Sequence, residues 1–254
     1  MAEQDQERQF EEFTKQLKLP ALLGQPAGQL LEQFGAGKAA PGSGSAAALM
    51  GLLAVKLMQT VCTISIRLMP ARTSVFDFIQ ERSALAEPKL RSLFQDDADV
   101  FDEVIALRQL RDLENEPAAR ARLTRQANKK LELATEYSLD IADMCLDLLP
   151  HAIDLYKQGA ARVRGDSGAA ISSAVAGITS ALFISNLNVK SLAKRRTGSL
   201  FKARADGQFD RLQSLQQDVF ACLTAINEEA TTALRDDLQL SLDLSGPGQA
   251  LTQQ

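Results

Sequence analysis

One carboxylate in this chain stands where helical geometry would bury it. The acidic run Gln95-Asp96-Asp97-Ala98-Asp99 lies inside a long helical pattern. At about 100° per residue, Leu90, Phe94, Phe101 and Val104 fall within about 60° of Asp97, whereas Asp96, Asp99, Asp102 and Glu103 point well away from that seam. A carboxylate on a buried stripe is costly unless it is paired or hydrogen-bonded. Burial also raises its pKa towards the range useful for proton transfer. Two readings follow. Asp97 is a general acid/base, or it is a structural carboxylate that caps a neighbouring helix or pairs with an Arg.

A second feature has the residue types of an anion site. Pro41-Gly42-Ser43-Gly44-Ser45 opens directly onto the apolar run from Ala46 to Val55. A helix N-terminus presents unpaired N–H groups and a partial positive charge, and a Gly/Ser turn lets an anion approach them. The spacing is neither a P-loop nor a dinucleotide fingerprint. The plain alternative is a helix start with Ser43 or Ser45 as N-cap. Asp166, in Arg164-Gly165-Asp166-Ser167-Gly168, precedes another apolar helix and reads as an N-cap or a site residue. Asn188 shares a stripe with Ala181 and Ile184, so it is an amide in need of partners. The cationic residues Lys190, Lys194, Arg195 and Arg196 follow, suited to a helix C-terminus or to a polyanionic tail.

The elements that must position these residues read as helices nearly throughout, with no convincing period-2 strand. An amphipathic pattern covers about 3–18, and further helical patterns cover about 26–35, 44–69 and 72–112, the last with Pro88 expected to kink or divide it. A helix opening at Pro117 is expected to end before Pro150, which places His151 at a helix boundary in a solvated or capping role. Further helices are expected over about 167–195 and 200–236, with a loosely ordered tail beyond 238. The segments 46–66 and 167–189 are apolar on all sides and carry stripes of small residues: Gly44, Ala48 and Gly51 in one, Ala170, Ala174, Gly177 and Ala181 in the other. A helix without a polar face must be surrounded. The two are therefore expected side by side at the centre of an all-α, multi-helix bundle, or at a tight subunit interface.

Composition excludes several classes. A net charge of −4 argues against general nucleic-acid binding. Three scattered cysteines and one histidine leave no disulfide framework and no multi-histidine metal site. The first residues lack a signal-peptide core, and Lys56 is expected to break the best membrane-span candidate. The reading is a cytoplasmic protein without a membrane span. It comprises an N-terminal extension (1–25), a helical domain (26–237) and a tail (238–254).

Four motifs in order resemble the cyclodeaminase/cyclohydrolase family, the C-terminal domain of formiminotransferase-cyclodeaminase. They are Leu30–Phe34 followed by Pro41–Ser45 and Ala46–Leu49, then Gln95–Phe101, then Gly165–Ile171, then Ile184–Leu192. The resemblance covers about 28–228. It implies a dimerising all-α fold with a tetrahydrofolate derivative in a cleft near the subunit interface. It also implies closure of 5-formiminotetrahydrofolate to 5,10-methenyltetrahydrofolate with loss of ammonia, or hydrolysis of the methenyl form. The family's functional carboxylate falls on Asp97. Gly42, Ser43, Gly44, Ser45 and Asp166 would help form the pocket, Asn188 is a further site candidate, and Lys190 with its basic neighbours would meet the folate glutamates. No metal, and no cofactor beyond the folate substrate, is implied. Ser43, Gln95, Gly165 and Ile184 depart from the family pattern, which motivates the alternative of a non-catalytic relative acting as a ligand-binding or interaction module.

Overall fold

The structure is a computed structural model that describes residues 21–244, with side chains described through residue 235. The helix expected over 3–18 and the last part of the tail lie outside the described residues. Among the described residues six α-helices follow one another: α1 (Ala27–Gly35), α2 (Ser43–Leu68), α3 (Thr73–Leu113), α4 (Pro117–Gln158), α5 (Arg164–Ser191) and α6 (Arg196–Leu244). No strand occurs among the described residues, and the fold is all-α. Single 3₁₀ turns at Pro70–Arg72 and Ala161–Val163 connect the long helices.

The helix ends follow local chemistry. Pro117 occupies the first turn of α4, where its missing N–H costs nothing, and the Glu116 carboxylate accepts from the Ala119 N–H. One expectation about proline is corrected: Pro150 does not end its helix, and α4 runs eight residues past it. Pro88 does not divide α3, which runs through it. Around Pro150, the residues Leu146, Leu149, Ala152 and Ile153 are all buried, so core packing outweighs the single lost backbone hydrogen bond. His151 is therefore no boundary residue. It lies within α4, half-buried, with Phe78 edge-on at 5.6 Å between ring centres. Helix α6 also continues to Leu244, beyond its expected end.

Helices α2 and α5 pack side by side, with α3 against α2, α4 against both, and α6 across α4 and α5. Glycines set this closeness. A Cβ on Gly177 would lie 3.2 Å from the Ala47 carbonyl oxygen and 2.9 Å from Cys145 Sγ. Gly51 meets the same sulfur, so Cys145 of α4 sits over the point where the two helices touch. Burial pushes the Cys145 thiol up to about 12, making it an inert filler of that gap.

The bundle surrounds α2 and α5 only in part. By length and composition both are apolar enough to cross a membrane, Lys56 notwithstanding, yet only 44% of each such window is buried inside the bundle. Leu53 of α2 and Phe183 and Leu187 of α5 are more than half exposed. Large apolar side chains are thus left open along the two central helices.

Candidate active site

The first turn of α2 and the middle of α3 meet at Asp97. Gly42 is the N-cap of α2 and has no side chain with which to cap the helix. The Asp97 carboxylate, 52 residues downstream of Ser45, does so instead. Ser45 Oγ donates to Asp97 Oδ2 at 3.1 Å, and the Ser45 backbone N–H donates to the same carboxylate. The helix start that could have held a foreign anion thus holds the protein's own. Gly44 is required by this contact, because a Cβ there would overlap the carboxyl group of Asp97.

Asp97 is 5% exposed and Ser45 is fully buried. Burial drives the Asp97 carboxyl up from 3.8 to about 6, although both hydrogen bonds from Ser45 pull it down. No cation pairs with it among the described residues. The structural and the functional readings of this carboxylate are therefore compatible. It caps α2, and it remains an acid whose proton exchanges near neutrality.

A cavity of about 50 Å³ opens beside it, lined by Ala39, Gly42, Ser43, Gly44, Asp97, Phe101, Ala134, Ile184 and Asn188. It has room for one or two waters or for a reacting group, well short of the several hundred Å³ typical of a whole-ligand pocket. Asn188, 6% exposed, enters from α5, and its Nδ2 has no hydrogen-bond partner. A buried, unpaired donor across a small cavity from a carboxyl of raised pKa can bind one side of a reacting group while a proton moves on the other.

The structure brings Gly42, Ser43, Gly44, Ser45, Asp97 and Asn188 together. Lys190 is exposed and outside the lining, two residues beyond Asn188. Asp166 is not in this cavity. It lies in the first turn of α5, 22 residues before Asn188, which is about 33 Å along a straight helix. It is not the N-cap either, a position taken by Val163. Arg195 of the basic cluster is bound to Glu132, at 2.5 Å. Gln95 accepts from the Leu22 N–H at 2.9 Å and donates to Asp99, tying the start of the described chain to α3. Ala39, Phe101, Ala134 and Ile184 complete the lining without being among the expected site residues; small or apolar residues in a seam carry no signal that distinguishes a cavity wall from core.

Comparison with known proteins places this geometry. Residues 26–206 match the Formiminotransferase-cyclodeaminase family. The chain belongs to that family. Within it, a protein named methenyltetrahydrofolate cyclohydrolase from Methylorubrum extorquens is 31% identical over 158 residues, which span 61% of this chain and 74% of the relative. The crystal structure of formiminotetrahydrofolate cyclodeaminase from Thermotoga maritima superimposes with a TM-score of 0.67 at 17% identity, covering 80% of this chain and 97% of that one. At that identity the structural likeness speaks for the helical fold.

Proposed function

We propose that this family member is a folate one-carbon enzyme in which Asp97 moves protons at the carbon bridging N5 and N10 of tetrahydrofolate. The observation that carries the reading is the buried carboxyl, raised to about 6, on the wall of a cavity that also holds an unpartnered amide donor. In hydrolysis of 5,10-methenyltetrahydrofolate, water adds to the methenyl carbon and Asp97 takes one of its protons. Asp97 then gives a proton to N5 as the carbon–N5 bond breaks, leaving the 10-formyl product and releasing one proton. In cyclisation of 5-formiminotetrahydrofolate, N10 adds to the formimino carbon and its proton passes to the former imino nitrogen, Asp97 gives that nitrogen a second proton, and ammonia departs to leave the methenyl cation. Both directions share one tetrahedral carbon and one proton carrier. The 31% identical cyclohydrolase favours hydrolysis as the first reaction to test.

Asn188 Nδ2 is placed to bind an oxygen or a nitrogen lone pair on the reacting group. Lys190 in the last turn of α5, with Lys194 and Arg196 beyond its end, would meet the anionic glutamate tail. The small cavity holds the reacting carbon, and the pterin and tail lie along the open apolar face that a second copy of the chain covers in a homodimer. The reading needs no metal and no cofactor beyond the folate, and it places the protein in the cytoplasm, away from membranes and nucleic acid. The test is paired. The wild type should turn over methenyltetrahydrofolate above the uncatalysed blank and unfold at a higher temperature with 5-formyltetrahydrofolate present. Asp97→Asn should abolish turnover while folding normally. Wild-type protein with neither turnover nor a thermal shift would point to a non-catalytic relative.

A further inference from the structure

Helices α3 and α4 pack against each other, and a groove of about 450 Å³ runs along their outer surface. Lys89, Ser92 and Leu93 of α3 and Asp140, Asp143 and Met144 of α4 line it. The α3 wall continues towards the start of that helix through Leu85 and Phe78, both more than half exposed. Phe78, Leu85, Lys89, Ser92 and Asp96 follow one another at steps of seven, four, three and four, a single stripe of α3. At the far end Phe78 meets His151 of α4. The near end is acidic. Asp140 and Asp143 share the one guanidinium of Arg204. Burial pushes the nearby Tyr137 phenol up, and Asp96, Glu136 and Asp140 push it further.

We infer that residues 3–18 of the same chain, which lie outside the described residues, pack lengthwise in this groove as an amphipathic helix, with Phe10, Phe13 and Leu17 against Leu85, Leu93 and Met144. The described chain begins at the acidic end of the groove. The Leu22 N–H donates to the Gln95 side chain, about one turn of α3 beyond Ser92. From there the chain runs to α1, whose Phe34 meets Phe94 edge-on. Phe94 is about 200° round α3 from Ser92, so α1 leaves on the side away from the groove. Pro20 ends a helix in the preceding segment and holds Leu19 extended. The link from Lys18 to Leu22 then reaches about 10 Å, and Phe13 lies about 7.5 Å before Lys18. Leu85 is about 15 Å from Gln95 along α3, within that reach. The reverse direction fails, because Lys18 at the Phe78 end would stand about 25 Å from Gln95. Phe10, Phe13 and Leu17 recur at steps of three and four, a helix face that needs an apolar groove. The charges agree with the direction. Lys15 and Lys18 arrive beside Asp96, Asp140 and Asp143, while Glu3, Asp5 and Glu7 run on towards Arg82.

The chain holds no tryptophan, so Phe13→Trp places a single fluorophore in the full-length protein. Its emission should be blue-shifted and protected from acrylamide. Adding Leu85→Asp should move it to the solvent-exposed wavelength while the far-ultraviolet circular dichroism of the bundle persists, because Leu85 is more than half exposed and its replacement leaves the core intact. Exposed emission from Phe13→Trp alone overturns the proposal. So does buried emission that Leu85→Asp leaves unchanged, since the segment is then covered somewhere else. A cysteine pair decides which chain the segment covers. Cys62, Cys145 and Cys222 are buried, so Phe13→Cys and Leu85→Cys supply the accessible thiols. Mild oxidation of this double variant should close a loop within one chain, read as a faster-migrating monomer on a non-reducing gel, and neither single variant should show that band. A covalent dimer would put the segment on a second copy, and no crosslink would take it out of the groove; either result overturns the proposal. Neither experiment uses folate turnover, so both stand apart from the reading of the Asp97 site.

Discussion

Replacing Asp97 with Asn should change stability in a pH-dependent way whose sign is fixed by burial. In the unfolded chain the carboxyl titrates near 3.8; in the folded chain it titrates at about 6. Its folded pKa is raised, so the native state binds the proton more tightly than the unfolded state does. Stability conferred by this group is therefore fully present below about pH 4 and is lost as pH rises through about 6. At 1.36 kcal/mol per pH unit, that loss is about 3 kcal/mol by neutral pH. Asparagine carries no such titration and can still accept from Ser45 through its amide oxygen. The stability of Asp97→Asn relative to wild type should thus improve by about 3 kcal/mol between pH 4 and pH 7.5. For a chain of this size that corresponds to roughly 6–12 °C in midpoint. Denaturant or thermal unfolding of both proteins, recorded by circular dichroism at half-unit pH steps, reads this difference directly. A difference that stays constant over this range, or that moves against the variant as pH rises, would show that Asp97 is an ordinary ionised cap.

Three further substitutions probe the same few atoms. Gly44→Ala puts a methyl group into the Asp97 carboxyl, so it should cost about 1–3 kcal/mol in unfolding experiments and abolish turnover together with the α2 cap. Ser45→Ala removes a hydrogen bond that favours the ionised form, so the acid limb of the kcat/KM profile should move to higher pH, the direction opposite to any effect of added positive charge. Asn188→Ala deletes a donor that has no partner in the free protein. It should leave stability within about 1 kcal/mol of wild type while weakening 5-formyltetrahydrofolate binding about 3- to 10-fold by titration calorimetry.

Much of this site was legible because helix periodicity is a local signal. The spacing of Leu90, Phe94, Phe101 and Val104 around Asp97 buries that carboxylate and no other in the acidic run, and the structure has Asp97 at 5% exposure. Its hydrogen-bond partner was not legible. Ser45 is 52 residues away, and nothing in the period of α3 says which helix start it will meet. The same limit explains Asp166. A residue's place along one helix predicts its face, but whether 33 Å separates it from a cavity depends on which end of the bundle that cavity occupies. Pro150 misled for a different reason: its local cost is real, and burial of its neighbours on α4 overrides it. Helices α2 and α5 lack a polar face, which predicts a place at the centre of the bundle or at a subunit interface. Periodicity shows that such a face must be covered, without showing whether the cover comes from the same chain. The open stripe with Phe183 and Leu187 is where that distinction falls.

The most direct measurement is the pH dependence of kcat/KM for methenyltetrahydrofolate hydrolysis, corrected for the uncatalysed reaction and run on wild type and Asp97→Asn. With Asp97 as the base, kcat/KM should climb about tenfold per pH unit below about 6 and level off above it, and the variant should show no enzymatic rate at any pH. A flat wild-type profile, or a variant as active as the wild type, would contradict the assignment of Asp97 as the proton carrier.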